Sequence, residues 1–260
     1  IAPAFFGYHI DIIEEMKARG AVVDWLPDRP FNSSLAKGVT RFTPSCVYPF
    51  SDILYRKILA SFSAGRYDTV FVINGQTLSP LFLQYLRQCF SSARFVLYMW
   101  DSFKNRPGWS RFLDSFDSVL TFDSQDSLEY GIPLRPLFYG QGFAASASGF
   151  LEKYRLSFIG TAHSDRYQVV KKLRSSLHPD LPAFWYLYLQ SRFVLSIYRV
   201  LKPSMRGASS SEFAFEPLTK NQVQSVFSKS LAVLDISHPR QTGLTMRTLE
   251  VLGSGTKLVT

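Results

Sequence analysis

Thr245, Arg247 and Glu250 sit at helical spacing directly after a polar loop that contains Pro239 and Gly243. Arg247 lies one turn before Glu250, so the guanidinium and the carboxylate share a helix face. The apolar run Leu231 to Ile236 ahead of the loop reads as a buried strand. The order strand, loop, helix puts Gly243 and the backbone N–H groups of Leu244 and Thr245 at a strand end and a helix start. An α/β protein can hold an anion there, with unpaired amides and the positive end of the helix.

Other chemistry-bearing residues fall at strand ends, where open parallel sheets bind ligands. His9 follows Phe6-Gly7-Tyr8 in the first such loop, and Asp101 and Asn105 occupy a later one. Gly160, Thr161 and His163 open the helix that carries Arg166, and His238, Gln241 and Thr242 lead into Gly243. His9 and Asp101 are the candidate proton acceptors, His9 for its ordinary pKa near neutrality and Asp101 for its position. Each of these residues also has a structural reading. His9 packs or caps a helix start, and Asp101 is an N-cap. His163 and Arg166 lie on a basic surface helix, and Glu250 is a buried partner of Arg247. Neither glycine-containing loop matches the dinucleotide fingerprint or the phosphate-binding loop ending in Gly-Lys-Ser/Thr. Four scattered histidines lack metal-ligand spacing and no acidic pair stands out, so no metal is expected.

The elements that must position these groups alternate. Helix patterns run over Asp11–Arg19, Asp52–Phe62, Ser79 to Phe90 and Trp109–Phe116, with Pro80 in a first helical turn. Strand patterns run over Ala21–Trp25, Thr69–Ile73, Phe95–Met99 and Val119–Phe122. The stretch Tyr139 to Gly149, rich in Gly and small residues, reads as a domain connection. Beyond it come strand Leu156–Gly160, helix Arg166–Leu177, strand Phe184–Leu189, helix Arg192–Leu201 and an extended piece Phe213–Phe215. Thr219 with Gln222 reads as a capping box for a helix ending at Phe227. Short apolar strands separated by helices predict mostly parallel sheets covered on both faces. The expected organisation is an N-terminal α/β domain over 1–145 and an incomplete C-terminal one over 146–260.

Composition limits the partners. The chain has 260 residues, 46% of them hydrophobic, enough for two ordinary cores. Cys46 and Cys89 show no disulfide or metal spacing, and a reducing, cytoplasmic setting is the expectation. The chain opens without Met in what reads as a strand end and stops in what reads as another strand, so it reads as a fragment. Residues 1–150 hold 14 Lys/Arg against 13 Asp/Glu, whereas 151–260 hold 15 against 7. Such a basic second half suits a nucleoside diphosphate, a nucleic acid or an anionic membrane surface. Nucleic acid fits worst, because the basic residues are dispersed among apolar runs.

The segment Asp235 to Thr260 resembles the donor-site segment of bacterial glycosyltransferases with two facing Rossmann-like domains, the GT-B type. More narrowly it is similar to lipopolysaccharide and capsular polysaccharide biosynthesis proteins, related to spore-maturation glycosyltransferase-like proteins. The stretches Phe6 to His9, Tyr67 to Asn74 and Tyr98 to Ser102 agree with the N-terminal half of that family. The resemblance implies metal-independent transfer of a sugar from a nucleotide-sugar, a substrate and not a cofactor, to a glycan or lipid-linked acceptor. A peripheral contact with the inner face of a membrane is compatible with it.

Carried over residue by residue, the resemblance has Gly243, Leu244 and Thr245 offering amides to the diphosphate. Glu250 holds the ribose hydroxyls, and Arg247, with His163 or Arg166, offsets phosphate charge. Many retaining members carry two glutamates eight positions apart here, and Thr242 stands at the earlier place. The stereochemical outcome is therefore open. A non-catalytic carbohydrate- or nucleotide-binding module is the alternative from another class.

Overall fold

Strands that are apolar on both faces need cover on both faces, and this chain builds two parallel sheets flanked by helices. The computed structural model describes residues 1–4, 6–29, 44–62, 67–106, 108–144, 152–162, 165–237 and 242–260. They group into two units, Ile1–Leu137 with Pro239–Leu244 (unit 1) and Phe138–His238 with Thr245–Thr260 (unit 2). The boundary drawn from the sequence at 145/146 falls within 145–151, outside the described residues.

Unit 1 runs α1 (Tyr8–Ala18), α2 (Tyr48–Leu59), β1 (Thr69–Ile73), α3 (Pro80–Cys89), β2 (Arg94–Met99), β3 (Ser118–Thr121) and α4 (Ser124–Tyr130). The sheet order is β1-β2-β3, all parallel, with Val72 opposite Leu97 and Leu97 opposite Val119. Ile1 extends it. Its nitrogen donates to the Phe71 carbonyl at 2.6 Å, and its own carbonyl accepts from the Ile73 amide at 2.8 Å. Ala2 in turn bridges Pro27 in parallel. The chain thus passes from Ile1–Ala2 to one side and returns to β1 on the other. Val72, Ile73, Phe95, Leu97 and Met99 are fully buried in this sheet.

Several elements differ from the pattern reading. Ala21–Trp25 is not a strand: Val22 is 96% exposed, and pairing begins only at Leu26, whose carbonyl accepts from the Ala2 amide. Trp109–Ser115 is a 3-10 turn, not an α-helix, entered through Gly108 at φ +90°. The helix α4 is missing from the periodicity because it spans only two turns. Its N-cap Asp123 and its left-handed C-cap Gly131 mark it instead.

Unit 2 runs β4 (Leu156–Thr161), α5 (Arg166–Ser176), β5 (Ala183–Tyr188), α6 (Arg192–Leu201), α7 (Lys220–Phe227), β6 (Ala232–Leu234), α8 (Met246–Gly253) and β7 (Lys257–Val259). Its parallel sheet has the order β5-β4-β6-β7. Consecutive residues of β4 point to opposite faces. Phe158 packs with Tyr167, Val170 and Leu195 of α5 and α6, while Ile159 packs with Val223, Phe227 and Val251 of α7 and α8. The capping box at α7 forms: the Gln222 amide donates to Thr219 Oγ1 at 3.3 Å, and the Thr219 amide to Gln222 Oε1 at 2.8 Å. Among the described residues no helix is long and apolar enough to cross a membrane.

Phe227 is fully buried, and Phe227→Ala is expected to destabilise unit 2 by about 3–5 kcal/mol. Thr219→Ala, which removes only the reciprocal cap of the same helix, should lose about 1 kcal/mol. Hydrogen exchange of the α7 amides, read alongside urea unfolding, checks the difference.

Candidate functional site

The order of the unit 2 sheet fixes where a ligand site can form. From β4 the chain crosses to β5 on one side, and it later returns to β6 on the other side of β4. Loops leaving the carboxyl ends of β4 and β6 therefore diverge, and the crevice they leave is the topological switch point. Thr161 ends β4 and Arg166 opens α5 on one wall; Asp235 and Ile236 follow β6 on the other. Arg166 Nε donates to the Ile236 carbonyl at 2.8 Å and joins the two walls. Burial lowers its pKa, Asp235 opposes that shift, and the nearby charge of Arg247 adds to it. Arg166 on α5 and Arg247 on α8 thus belong to the elements that follow β4 and β6, and positive charge there suits an anion.

Asp235, which the sequence reading left without a role, organises this end of the sheet. Its carboxylate is 6% exposed and accepts from Thr245 Oγ1 at 2.8 Å and Thr248 Oγ1 at 2.6 Å. Its backbone amide donates to the Val259 carbonyl of β7 at 2.8 Å. Thr245 is also the N-cap of α8, accepting from the Thr248 amide at 3.0 Å. The signal was present in the sequence, an aspartate closing an apolar strand ten residues before a threonine, but nothing in its spacing distinguished it from a loop residue.

Arg247 and Glu250 share a face of α8 as their spacing predicts, with Nη1 to Oε2 at 2.8 Å. The Glu250 side chain is 4% exposed, and the Arg247 guanidinium lies 5.0 Å from the Phe227 ring. The buried-partner arrangement is therefore the one present. Gly160 lies within β4, where a Cβ would come 2.7 Å from the Phe158 ring. His163, His238 and Gln241 lie outside the described residues.

The amides expected to be open for a phosphate are partly engaged. In unit 1 the Thr242 amide and Oγ1 donate to the Asp123 carboxylate at 2.9 and 2.7 Å, and the Gly243 amide approaches the same carboxylate at 3.4 Å. In unit 2 the Thr245 amide donates to Thr248 Oγ1 at 3.2 Å. The expectation of unpaired amides at Gly243 and Thr245 is corrected accordingly: a carboxylate and a capping hydroxyl accept from them. Gly243 has a local reason as well, since a Cβ there would stand 2.5 Å from the Phe122 carbonyl oxygen. Leu244 is half exposed.

The two candidate bases sit apart in their chemistry. His9 is the second residue of α1, its ring 4.6 Å from that of Trp25, and its buried Nδ1 has no hydrogen-bond partner among the described residues. Burial lowers its pKa against the opposing charge of Asp11, which keeps the imidazole neutral near pH 7. Asp101 accepts from Arg106 Nε and Asn105 Nδ2, both at 3.0 Å. It is not an N-cap; Ser102 fills that place, accepting from the Lys104 amide at 3.3 Å. Asp126, fully buried, accepts from Ser102 Oγ and the Phe103 amide, so the loop bearing Asp101 is held from beneath. Among the described residues no group of three or more His, Cys, Asp or Glu could hold a metal ion.

No protein-family model matches this chain, and no curated protein matches it. What the two sheets establish is a generic Rossmann-like α/β architecture capable of holding a nucleotide.

Burial raises the Asp123 pKa, but hydrogen bonds from Thr242, Asp126 and Gly243 outweigh it and hold the carboxyl below the ordinary range. A carboxylate with a depressed folded pKa stabilises fully above its unfolded value, about 4, and the gain is lost as pH falls through the folded value. Asp123→Ala should therefore lose about 1–3 kcal/mol at neutral pH. Its thermal stability should also fall less steeply than the parent's below pH 4, as scanning calorimetry across that range would read.

Proposed function

We propose that this chain is a glycosyltransferase that moves a sugar from a nucleotide-activated donor to a glycan or lipid-linked acceptor of surface polysaccharide. The observation that carries this reading is the half-buried Arg166 at the β4/β6 switch point, bonded across it to the Ile236 carbonyl. As the bond between the sugar and the nucleoside diphosphate breaks, the leaving group gains negative charge. Cations fixed beforehand stabilise that charge without reorganising.

In this reading Arg166 and Arg247 bind the diphosphate, with Thr161 and the start of α5 beside it. Glu250 accepts from the ribose hydroxyls after exchanging part of its bond to Arg247. Unit 1 carries the acceptor-side groups, and neutral His9 takes the proton of the attacking hydroxyl if transfer inverts the anomeric centre. Asp101, already shared between Arg106 and Asn105, is the weaker base.

A second reading, a non-catalytic nucleotide- or carbohydrate-binding module, is favoured by one observation. Thr242, Gly243 and Glu250, which the transferase resemblance assigns to the donor, already have partners within the protein. Binding of sugar nucleotides without transfer or hydrolysis across a broad acceptor panel would select it.

Calorimetry with a panel of nucleoside diphosphates and sugar nucleotides tests the proposal. At least one should bind, and Arg166→Gln should weaken it by about tenfold or more, the scale of one charge-assisted hydrogen bond. No binding by any member of the panel overturns the transferase reading and the nucleotide-binding form of the second. Glu250→Gln separates the two roles of that residue. Ribose binding predicts weaker ligand affinity by about 1–3 kcal/mol with a nearly intact fold. A purely structural partner predicts a loss of roughly 3–5 kcal/mol in stability with an unchanged ligand-induced shift in Tm.

A further inference from the structure

One helix of unit 2 presents two apolar faces. On α6, Leu195 is buried in the core, with Val194 and Tyr198 packed beside it. Phe193, Val200 and Leu201 are 73%, 74% and 72% exposed, and Ile197 is exposed beside them. At 100° per residue these four fall within an arc of about 100°. The other exposed apolar side chains among the described residues of unit 2, such as Val169 and Leu252, stand singly. The α6 arc is a continuous stripe that packing of the unit does not explain.

Along the stretch of sequence that carries the stripe the charge is of one sign. No Asp or Glu occurs between Asp180 and Glu212, whereas Arg192, Arg199, Lys202 and Arg206 all lie there. Arg192 and Arg206 are exposed at either end of the stripe. The Arg192 guanidinium lies 5.4 Å from the Phe215 ring, and Lys202 Nζ lies 3.7 Å from that of Tyr198. Arg199 donates Nε to the Ala208 carbonyl at 3.0 Å, which ties the loop after α6 to the helix. Glu212, the first acid beyond it, is occupied by the Ser209 amide and the Tyr167 hydroxyl.

We propose that this face of α6 docks on an anionic lipid surface, the stripe Phe193, Ile197, Val200 and Leu201 entering the headgroup boundary and the flanking basic residues meeting lipid phosphates. An amphipathic helix lying in the interface plane needs this pairing of apolar side chains with a basic border. The length of α6, about 15 Å, also suits a helix lying along the surface. The inference is independent of the proposed transfer reaction, since no residue of the β4/β6 crevice takes part.

Co-sedimentation with vesicles of phosphatidylcholine containing phosphatidylglycerol, against vesicles of phosphatidylcholine alone, tests it. The chain should bind the anionic vesicles, and binding should weaken as salt screens the charges. The pair Phe193→Ser with Val200→Ser, and separately Arg192→Glu with Arg206→Glu, should each reduce binding by about tenfold or more. Leu128→Ser, an equally exposed apolar change elsewhere, should not alter it. Unchanged circular dichroism and Tm of the variants would show that the fold survives. Their nucleoside diphosphate affinity, read by calorimetry, keeps this test separate from that of the transferase. Equal binding to neutral vesicles, or variants that bind as the parent does, overturns the proposal. So does a concentration-dependent dimer in sedimentation velocity that Phe193→Ser with Val200→Ser abolishes, which would give the stripe to a second copy.

Discussion

A carboxylate held at the end of a central strand is the constraint on which unit 2 depends. Asp235 is almost fully enclosed, and an ionised carboxyl is tolerable there only with donors in place and opposite charge nearby. Thr245 and Thr248 supply the donors, and Arg166 supplies the charge. Because Thr245 is also the N-cap, the same carboxylate sets where α8 begins. The start of α8 then sets which way Arg247 and Glu250 point. Moving the helix by one residue would turn both side chains by about 100° and bring others to that face. The position of Arg247 at the switch point is thus a consequence of one buried acid and not of the arginine itself.

Unit 1 uses the same device twice. Asp123 caps α4 and also accepts from Thr242 and Gly243, residues more than a hundred positions away in sequence. Asp126, one turn along, faces the opposite way in its bonding and holds Ser102 and Phe103. One short helix therefore fixes both the loop after β2 and the stretch that returns from the far end of the chain. A glycine is required where that stretch passes the Phe122 carbonyl, since a side chain would collide with backbone. The glycine that reads as room for a phosphate is, in the folded chain, room for a neighbouring strand end.

These cases show which parts of the fold can be read from residues in order. Strands Thr69–Ile73 and Leu156–Thr161 and helix Arg192–Leu201 follow from apolar periodicity, and Thr219 with Gln222 from local capping chemistry. All of these depend on neighbours in sequence. Ala21–Trp25 differs because strand pairing is a tertiary property that an apolar run does not encode, and Trp109–Ser115 forms a 3-10 turn entered through a left-handed glycine. The candidate site divides in the same way. Arg247 and Glu250 meet because they lie one turn apart, and the spacing says so. Asp235, Asp123 and Asp126 act through partners that only the tertiary fold brings near, and no local pattern announces a buried aspartate.

The positive charge of the second half separates into two physical kinds. Arg166 is half-buried and bonded to the Ile236 carbonyl, its charge opposed by desolvation and by Arg247 and favoured by Asp235. Arg192 and Arg206 are solvated, and their attraction is long-ranged, weak per residue and screened by salt. A small polyanion rewards the first arrangement, because a few short bonds in a dry crevice carry its binding. An extended anionic surface rewards the second, because many weak attractions add along it while the apolar stripe of α6 is removed from water. Net charge alone cannot tell these apart. What separates them is the partial burial of Arg166 on one side and, on the other, the exposure of Arg192 and Arg206 in a stretch without carboxylates between Asp180 and Glu212.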